Sequence, residues 1–161
     1  MRLPRVLILT ASVLVTAAPA FADATFFIGN TSTPSSRQVK GFAVGSGLLV
    51  IGGEFEYSST TEKPEDAAPS LKTFMGNLLL QTPGAILGIQ PYFTTGGGVY
   101  RESLSTIDHQ ETQFGVNTGG GAKISLIGPL RARLDYRVFK LKGSPMHDVV
   151  HRLYAGINLK F

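Results

Sequence analysis

The chain has 161 residues, a formal net charge of +4, 43% hydrophobic residues and no cysteine. That length suits a single domain, and the lack of cysteine excludes both a disulfide-stapled fold and a lipid anchor on an N-terminal cysteine. The basic excess is too small to argue for a nucleic-acid partner.

The first segment has the layout of a secretory signal. Arg2 and Arg5 form a basic region, Val6 to Ala18 an apolar run, and Ala20 and Ala22 flank Phe21 as small residues at the cleavage positions. The apolar run falls short of the ~20 residues that a membrane-spanning helix needs. Cleavage after Ala22 therefore gives a leader of residues 1–22 and a mature domain of residues 23–161, exported by the secretory pathway. Losing Arg2 and Arg5 leaves 13 basic against 11 acidic residues, a charge of +2.

Beyond the leader, apolar residues recur at every second position, the period of a strand with two unlike faces. "TFFIGN" (25–30) and "QVKGFAVG" (38–45) give two strands with open boundaries. "LVIGGEFEY" sets Leu49, Ile51, Phe55 and Tyr57 opposite Glu54 and Glu56. In "LKTFMGNLLLQ", Phe74, Leu78 and Leu80 are assigned to the apolar face, and Met75 and Leu79 join Asn77 on the other. "IQPYFTTGGGVY" sets Ile89, Phe93 and Val99 against Gln90, Tyr92 and Tyr100.

The last three strands alternate most cleanly. Residues 112–126 divide into Phe114, Val116, Ala122, Ile124 and Leu126 against Gln113, Asn117, Lys123 and Ser125. "PLRARLDYRVF" sets Leu130, Ala132, Leu134, Tyr136 and Val138 against Arg131, Arg133, Asp135 and Arg137. The final "VVHRLYAGINLKF" places Leu153, Ala155, Ile157, Leu159 and Phe161 on one face, with Arg152, Tyr154 and Asn158 on the other.

Between the strands, "STPSSR", "TTEKPEDAAPS", "ESLSTIDHQE" and "KGSPMHD" read as long polar loops, whereas "SGL", "TPGA" and "IGP" read as tight turns. Eight antiparallel strands with long loops at one end and short turns at the other predict an all-β, up-and-down transmembrane barrel. An inward apolar face would instead give a soluble, lipocalin-like binder. Three features favour an outward apolar face. The polar face mixes both signs of charge with glycine and tyrosine, Tyr57, Phe114 and Tyr136 collect toward the loop end, and Phe161 closes the last strand.

The leader, the "EFEY" and "PYFTTGGGVY" strands and the final "YAGINLKF" resemble the small bacterial outer-membrane β-barrel family of OmpA/OmpX type. The resemblance covers essentially the whole mature chain. It implies a location in the outer membrane and contact with its lipids, with periplasmic chaperones and the barrel assembly machinery as partners in biogenesis. It further implies that Leu153, Ala155, Ile157, Leu159 and Phe161 form the assembly signal. The family shares a fold more than an activity, so a structural or surface-interaction role is expected of a monomer, with a loop-borne extracellular partner as an option.

An eight-stranded lumen is just wide enough for side chains to fill. Glu54, Glu56 and Asp135 are therefore expected to pair there with Lys123, Arg131, Arg133, Arg137 and Arg152. The alternative is a narrow, porin-like pathway that favours anions. No cofactor, metal or catalytic group is expected. His147 and His151 on a strand would stand roughly 13 Å apart, too far for one metal ion, and Ser144, His147 and Asp148 make a weak triad in a loop.

Two glycine runs, "TTGGGVY" and "NTGGGAK", suggest a phosphate loop. Such a loop needs lysine directly after the last glycine and then serine or threonine, but Ala122 precedes Lys123 and Ile124 follows it. The glycines are instead assigned to the barrel wall. Gly97 is expected to pair with Gly120, with the hairpin centred between Asp108 and His109; Gly96, Gly98, Gly119 and Gly121 then face the lumen.

Overall fold

The computed structural model describes residues 20–161, so the leader features at Arg2, Arg5 and Val6 to Ala18 lie outside the described residues. Eight strands follow one another: β1 (Ala20–Thr31), β2 (Arg37–Leu48), β3 (Ile51–Thr60), β4 (Ser70–Gln81), β5 (Ile89–Leu104), β6 (His109–Ile127), β7 (Leu130–Leu141) and β8 (Val149–Lys160). Each pairs antiparallel with its neighbour, and β8 pairs back onto β1, closing an eight-stranded barrel without free edges. Ala20 and Ala22 lie within β1, opposite Leu48 and Ser46 of β2.

The alternation read from the sequence decides which side faces in. Phe26, Phe55 and Leu78 point outward with more than three fifths of their surface exposed, whereas Arg133, Arg137 and Glu56 are fully buried in the lumen. Met75, Leu79 and Asn77 are likewise buried, while Phe74, Leu78 and Leu80 are exposed. This is the reverse of a water-soluble barrel: the apolar belt suits hydrocarbon, and buried charged side chains line the interior.

Two connections depart from the expected lengths. "ESLSTIDHQE" is mostly strand, because β5 runs to Leu104 and β6 starts at His109, leaving only Ser105–Asp108 to turn the chain. A single turn of 3-10 helix at Ser105–Ile107 and left-handed backbone at Asp108 (φ 50°) make the reversal compact. The β4–β5 connection is longer than "TPGA". Its reversal falls at Leu87 and Gly88, both with positive φ, flanked by reciprocal backbone bonds between Ile86 and Ile89 of 2.8 and 3.0 Å. Two successive positive-φ residues suit a tight hairpin, and a proline at Pro83 cannot supply one of them. The β2–β3 and β6–β7 turns do hold only two residues each, Leu49-Val50 and Gly128-Pro129.

The glycine register also differs from expectation. In the β5–β6 ladder Leu104 pairs with His109, so the hairpin is centred four residues of summed numbering lower than predicted, and Gly97 faces Val116 while Gly120 faces Phe93. The two triplets are therefore offset along the hairpin and do not oppose one another. Glycines have no side chains to lock a register, and the short turn at Ser105–Asp108 sets it instead.

Candidate functional site: the lumen

The lumen is crossed by side chains from strands on opposite sides of the ring. β3 supplies Glu54 and Glu56, and β7, four strands away in either direction, supplies Arg131, Arg133, Asp135 and Arg137. Alternation on each strand explains the grouping: residues two apart share a face, so Arg131, Arg133, Asp135 and Arg137 all point inward.

At the centre, Arg133 bonds Glu54 and lies 3.2 Å from Asp135. Arg137 Nη2 donates to Glu54 at 2.8 Å and its Nε to Asp135 at 2.9 Å. Its Nη1 stands 3.0 Å from Glu56 Oε2 without hydrogen-bond alignment, so charge rather than a directed bond holds that contact. Arg152 completes the layer by donating to Glu56, and to Ser58 at 2.8 Å. The eight charged residues expected in the lumen all face it, six of them joined in this way and Lys123 and Arg131 joined through Asp23.

Sequence reasoning missed two groups of this network. Asp23 sits beside the expected cleavage position, where it reads as the start of a mature chain; in the barrel it holds Lys123 and Arg131, the latter at 3.2 Å. Tyr92 was placed on the inward face but given no role. Its hydroxyl donates to Asp135 and accepts from Arg133 Nε at 2.7 Å, linking the ions to the β5 wall. Arg131 further donates to Asn158 at 2.8 Å and Gln90 at 2.9 Å.

Above this ionic layer, toward the loop end, the lumen turns apolar. Leu71, Met75, Tyr100, Phe139, Leu141 and Val150 form one buried cluster, and the Arg152 guanidinium lies 4.5 Å from the centre of the Phe139 ring where the layers meet. At the loop end, side chains on the strands tie down the loops. Arg37 donates to the carbonyls of Pro69 and Thr33, and Glu102 accepts from the Met146 N–H at 2.9 Å and touches His109 at 3.0 Å.

The remaining candidate residues fall elsewhere. Leu153, Ala155, Ile157 and Leu159 lie on the outer face of β8, and Phe161 is exposed at its end. Gly96, Gly98, Gly119 and Gly121 face the lumen and Gly97 and Gly120 the exterior, although in the shifted register. A Cβ on Gly119 would overlap the Tyr136 carbonyl and one on Gly121 the Leu134 carbonyl, so both permit close strand approach rather than space for arginines across the barrel. Ser144 donates its backbone N–H to Glu111 at 3.1 Å, and no hydrogen bond joins the side chains of Ser144, His147 and Asp148 among the described residues. His151 faces outward and its Nδ1 is 2.8 Å from the Tyr136 hydroxyl. Among the described residues, no three His, Asp or Glu side chains gather as a metal site.

This architecture is that of the eight-stranded outer-membrane barrels. Neisserial surface protein A superposes with a TM-score of 0.68 at 14% identity, over 88% of this chain and 97% of that one. The N-terminal β-barrel domain of Pseudomonas aeruginosa OprF gives 0.65 at 15%, over 88% and 97%. The outer membrane enzyme PagL gives 0.52 at 15%, over 85% and 98%. No family model matches the chain, and no curated protein matches it. At these identities the likeness is one of fold, and a fold that includes an enzyme does not by itself decide for or against catalysis.

Proposed function

We propose that the chain is an integral outer-membrane protein, loops outward and turns toward the periplasm, with a lumen plugged by ion pairs and a structural or surface-interacting role. The observation that carries this reading is the burial of Arg133 and Arg137 against Glu54, Glu56 and Asp135 across the full width of the barrel. Paired ions of this kind fill space that a pore would need, and opening the path would strand buried charges at a cost of roughly 3–5 kcal/mol for each broken pair. The outward row on β8 that ends at Phe161 supports recognition by the assembly machinery during insertion.

The test combines membrane fractionation, heat-modifiable gel mobility and planar-bilayer recording. The protein should fractionate with outer membranes, migrate differently before and after boiling, and give no steady conductance. A soluble periplasmic product would overturn the membrane reading. A second reading, a narrow anion-favouring pathway, is supported by six buried inward cations (Arg37, Lys123, Arg131, Arg133, Arg137 and Arg152) against five buried carboxylates (Asp23, Glu54, Glu56, Glu102 and Asp135). Regular steps whose anion preference weakens in Arg131→Ala would replace the plug with that pathway.

A further inference from the structure

The outward faces of the strands carry Lys40, Lys72, Arg101 and Lys140, all exposed, and no carboxylate. All four cations stand near the strand ends that lead into the loops. None takes part in an ion pair among the described residues; the carboxylates lie in the lumen or the loops. Arg101 alone has a hydrogen-bond partner, the Gln110 side chain at 3.1 Å.

Three of these cations fall in one row. Lys40 pairs across to Ser59, Ser59 to Lys72, and Lys72 to Arg101, so the row runs over four adjacent strands. Like charges directly opposite destabilise a ladder, and Lys72 opposite Arg101 is such a pair. An anion lying between them reverses the sign of that interaction. At about 4.8 Å between strands the row spans roughly 14 Å, wider than one phosphate group.

Below the cations, two residues along each strand, comes an apolar row of Phe42, Tyr57, Phe74 and Val99. Further along is a recess of about 430 Å³, walled by Val44, Phe55 and Leu78, with Ser46, Gly53 and Gly76 as its floor. A Cβ at Gly53 would meet nothing closer than the Asn77 carbonyl at 4.0 Å, so the glycine leaves open depth rather than tight packing. From Ser59 to Gly53 is ~20 Å along the strand, or ~14 Å of depth at a tilt of ~45°, close to half of a ~30 Å hydrocarbon core.

We propose that this face of β2–β5 binds a lipid whose headgroup carries two phosphates, held by Lys40, Lys72 and Arg101, with one acyl chain lying in the recess over Gly53. The inference rests on the outward face meeting lipid with the loop end at the outer surface. Cations and recess together match an amphiphile in both chemistry and length, which neither would do alone.

The folded barrel in a neutral detergent is titrated with bisphosphorylated lipid A, its monophosphorylated form and phosphatidylcholine, and lipid bound per barrel is read by native mass spectrometry. Bisphosphorylated lipid should bind most tightly and lose affinity as salt rises. Lys72→Ala with Arg101→Ala should weaken it at least tenfold, Gly53→Leu should weaken it several-fold, and Lys140→Ala, off the row, should leave it unchanged. Equal binding of phosphatidylcholine, or an unchanged affinity in the double variant, overturns the proposal. Heat-modifiable mobility of every variant separates these outcomes from failure of the barrel itself: a barrel that folds and fractionates with outer membranes but ignores lipid phosphate sinks the lipid site alone.

Discussion

Arg133 is fully buried and meets Glu54, Asp135 and Tyr92 at once, so removing it leaves two buried carboxylates to Arg137 alone. Arg133→Ala should lower the stability of the folded band by roughly 3–5 kcal/mol, the range for breaking a buried pair from one side. Glu54→Gln with Arg133→Met removes both charges and should recover much of that loss; a double variant as unstable as Arg133→Ala would show that the ions do not act as a pair. Urea titration followed by the shift in gel mobility reads both. The glycines of β6 give a second comparison. A side chain on Gly121 would overlap the Leu134 carbonyl and crowd the Tyr92 hydroxyl, whereas one on Gly120 points outward, 2.8 Å from the Tyr92 carbonyl. Gly121→Ala should therefore cost more than Gly120→Ala, by about 1–3 kcal/mol in the same titration. The inward charges were legible because period-two alternation puts every second residue of β3 and β7 on one face. Asp23 was not, because it falls directly after the expected cleavage position at Ala22 and ahead of the 25–30 stretch read as the first strand.

At the scale of elements, strand number and facing were legible and register was not. Alternation carries no information about which residue lies opposite which, and the one cue used for β5–β6, a pair of glycine triplets, lacks the side chains that fix a register. What sets it is the compact turn at Ser105–Asp108, whose polar residues read as part of a longer loop. The extended hairpin that results reaches past β7, whose last ladder partner on β6 is Gly115, and the β7–β8 loop is tied to it through Glu102 and Glu111. Glu102→Ala leaves the half-buried Met146 N–H without its acceptor, at about 0.5–1.5 kcal/mol, the net worth of a typical hydrogen bond. Amide exchange at Met146 should then accelerate on the order of 10-fold, with Gly120 and Tyr136 in the barrel wall unaffected. Equal protection in variant and parent would show that the loop is held by other contacts.

Over the whole molecule, the proposed plug consists of two unlike layers in series. The ionic layer is held by attraction across the ring from β3 to β7, and the apolar layer of Leu71, Met75, Tyr100, Phe139, Leu141 and Val150 excludes water by packing. Ions can cross only if both open, because a hydrophobic constriction blocks conduction even when the charged path beneath it is hydrated. Arg152→Ala loosens the first layer by leaving Glu56 to Arg137 alone and removes the cation over Phe139, but it leaves the apolar cluster in place. That variant should remain silent in planar bilayers, as should Phe139→Ala, which hollows the second layer while the Arg137 pairs persist. Joining the two substitutions removes facing parts of both layers, and brief conductance steps should appear, provided that gel mobility shows the double variant still folded. Steady steps from either single variant would mean that one layer alone seals the barrel, and silence from a folded double variant would mean that the loops held by Arg37 and Glu102 close the mouth independently.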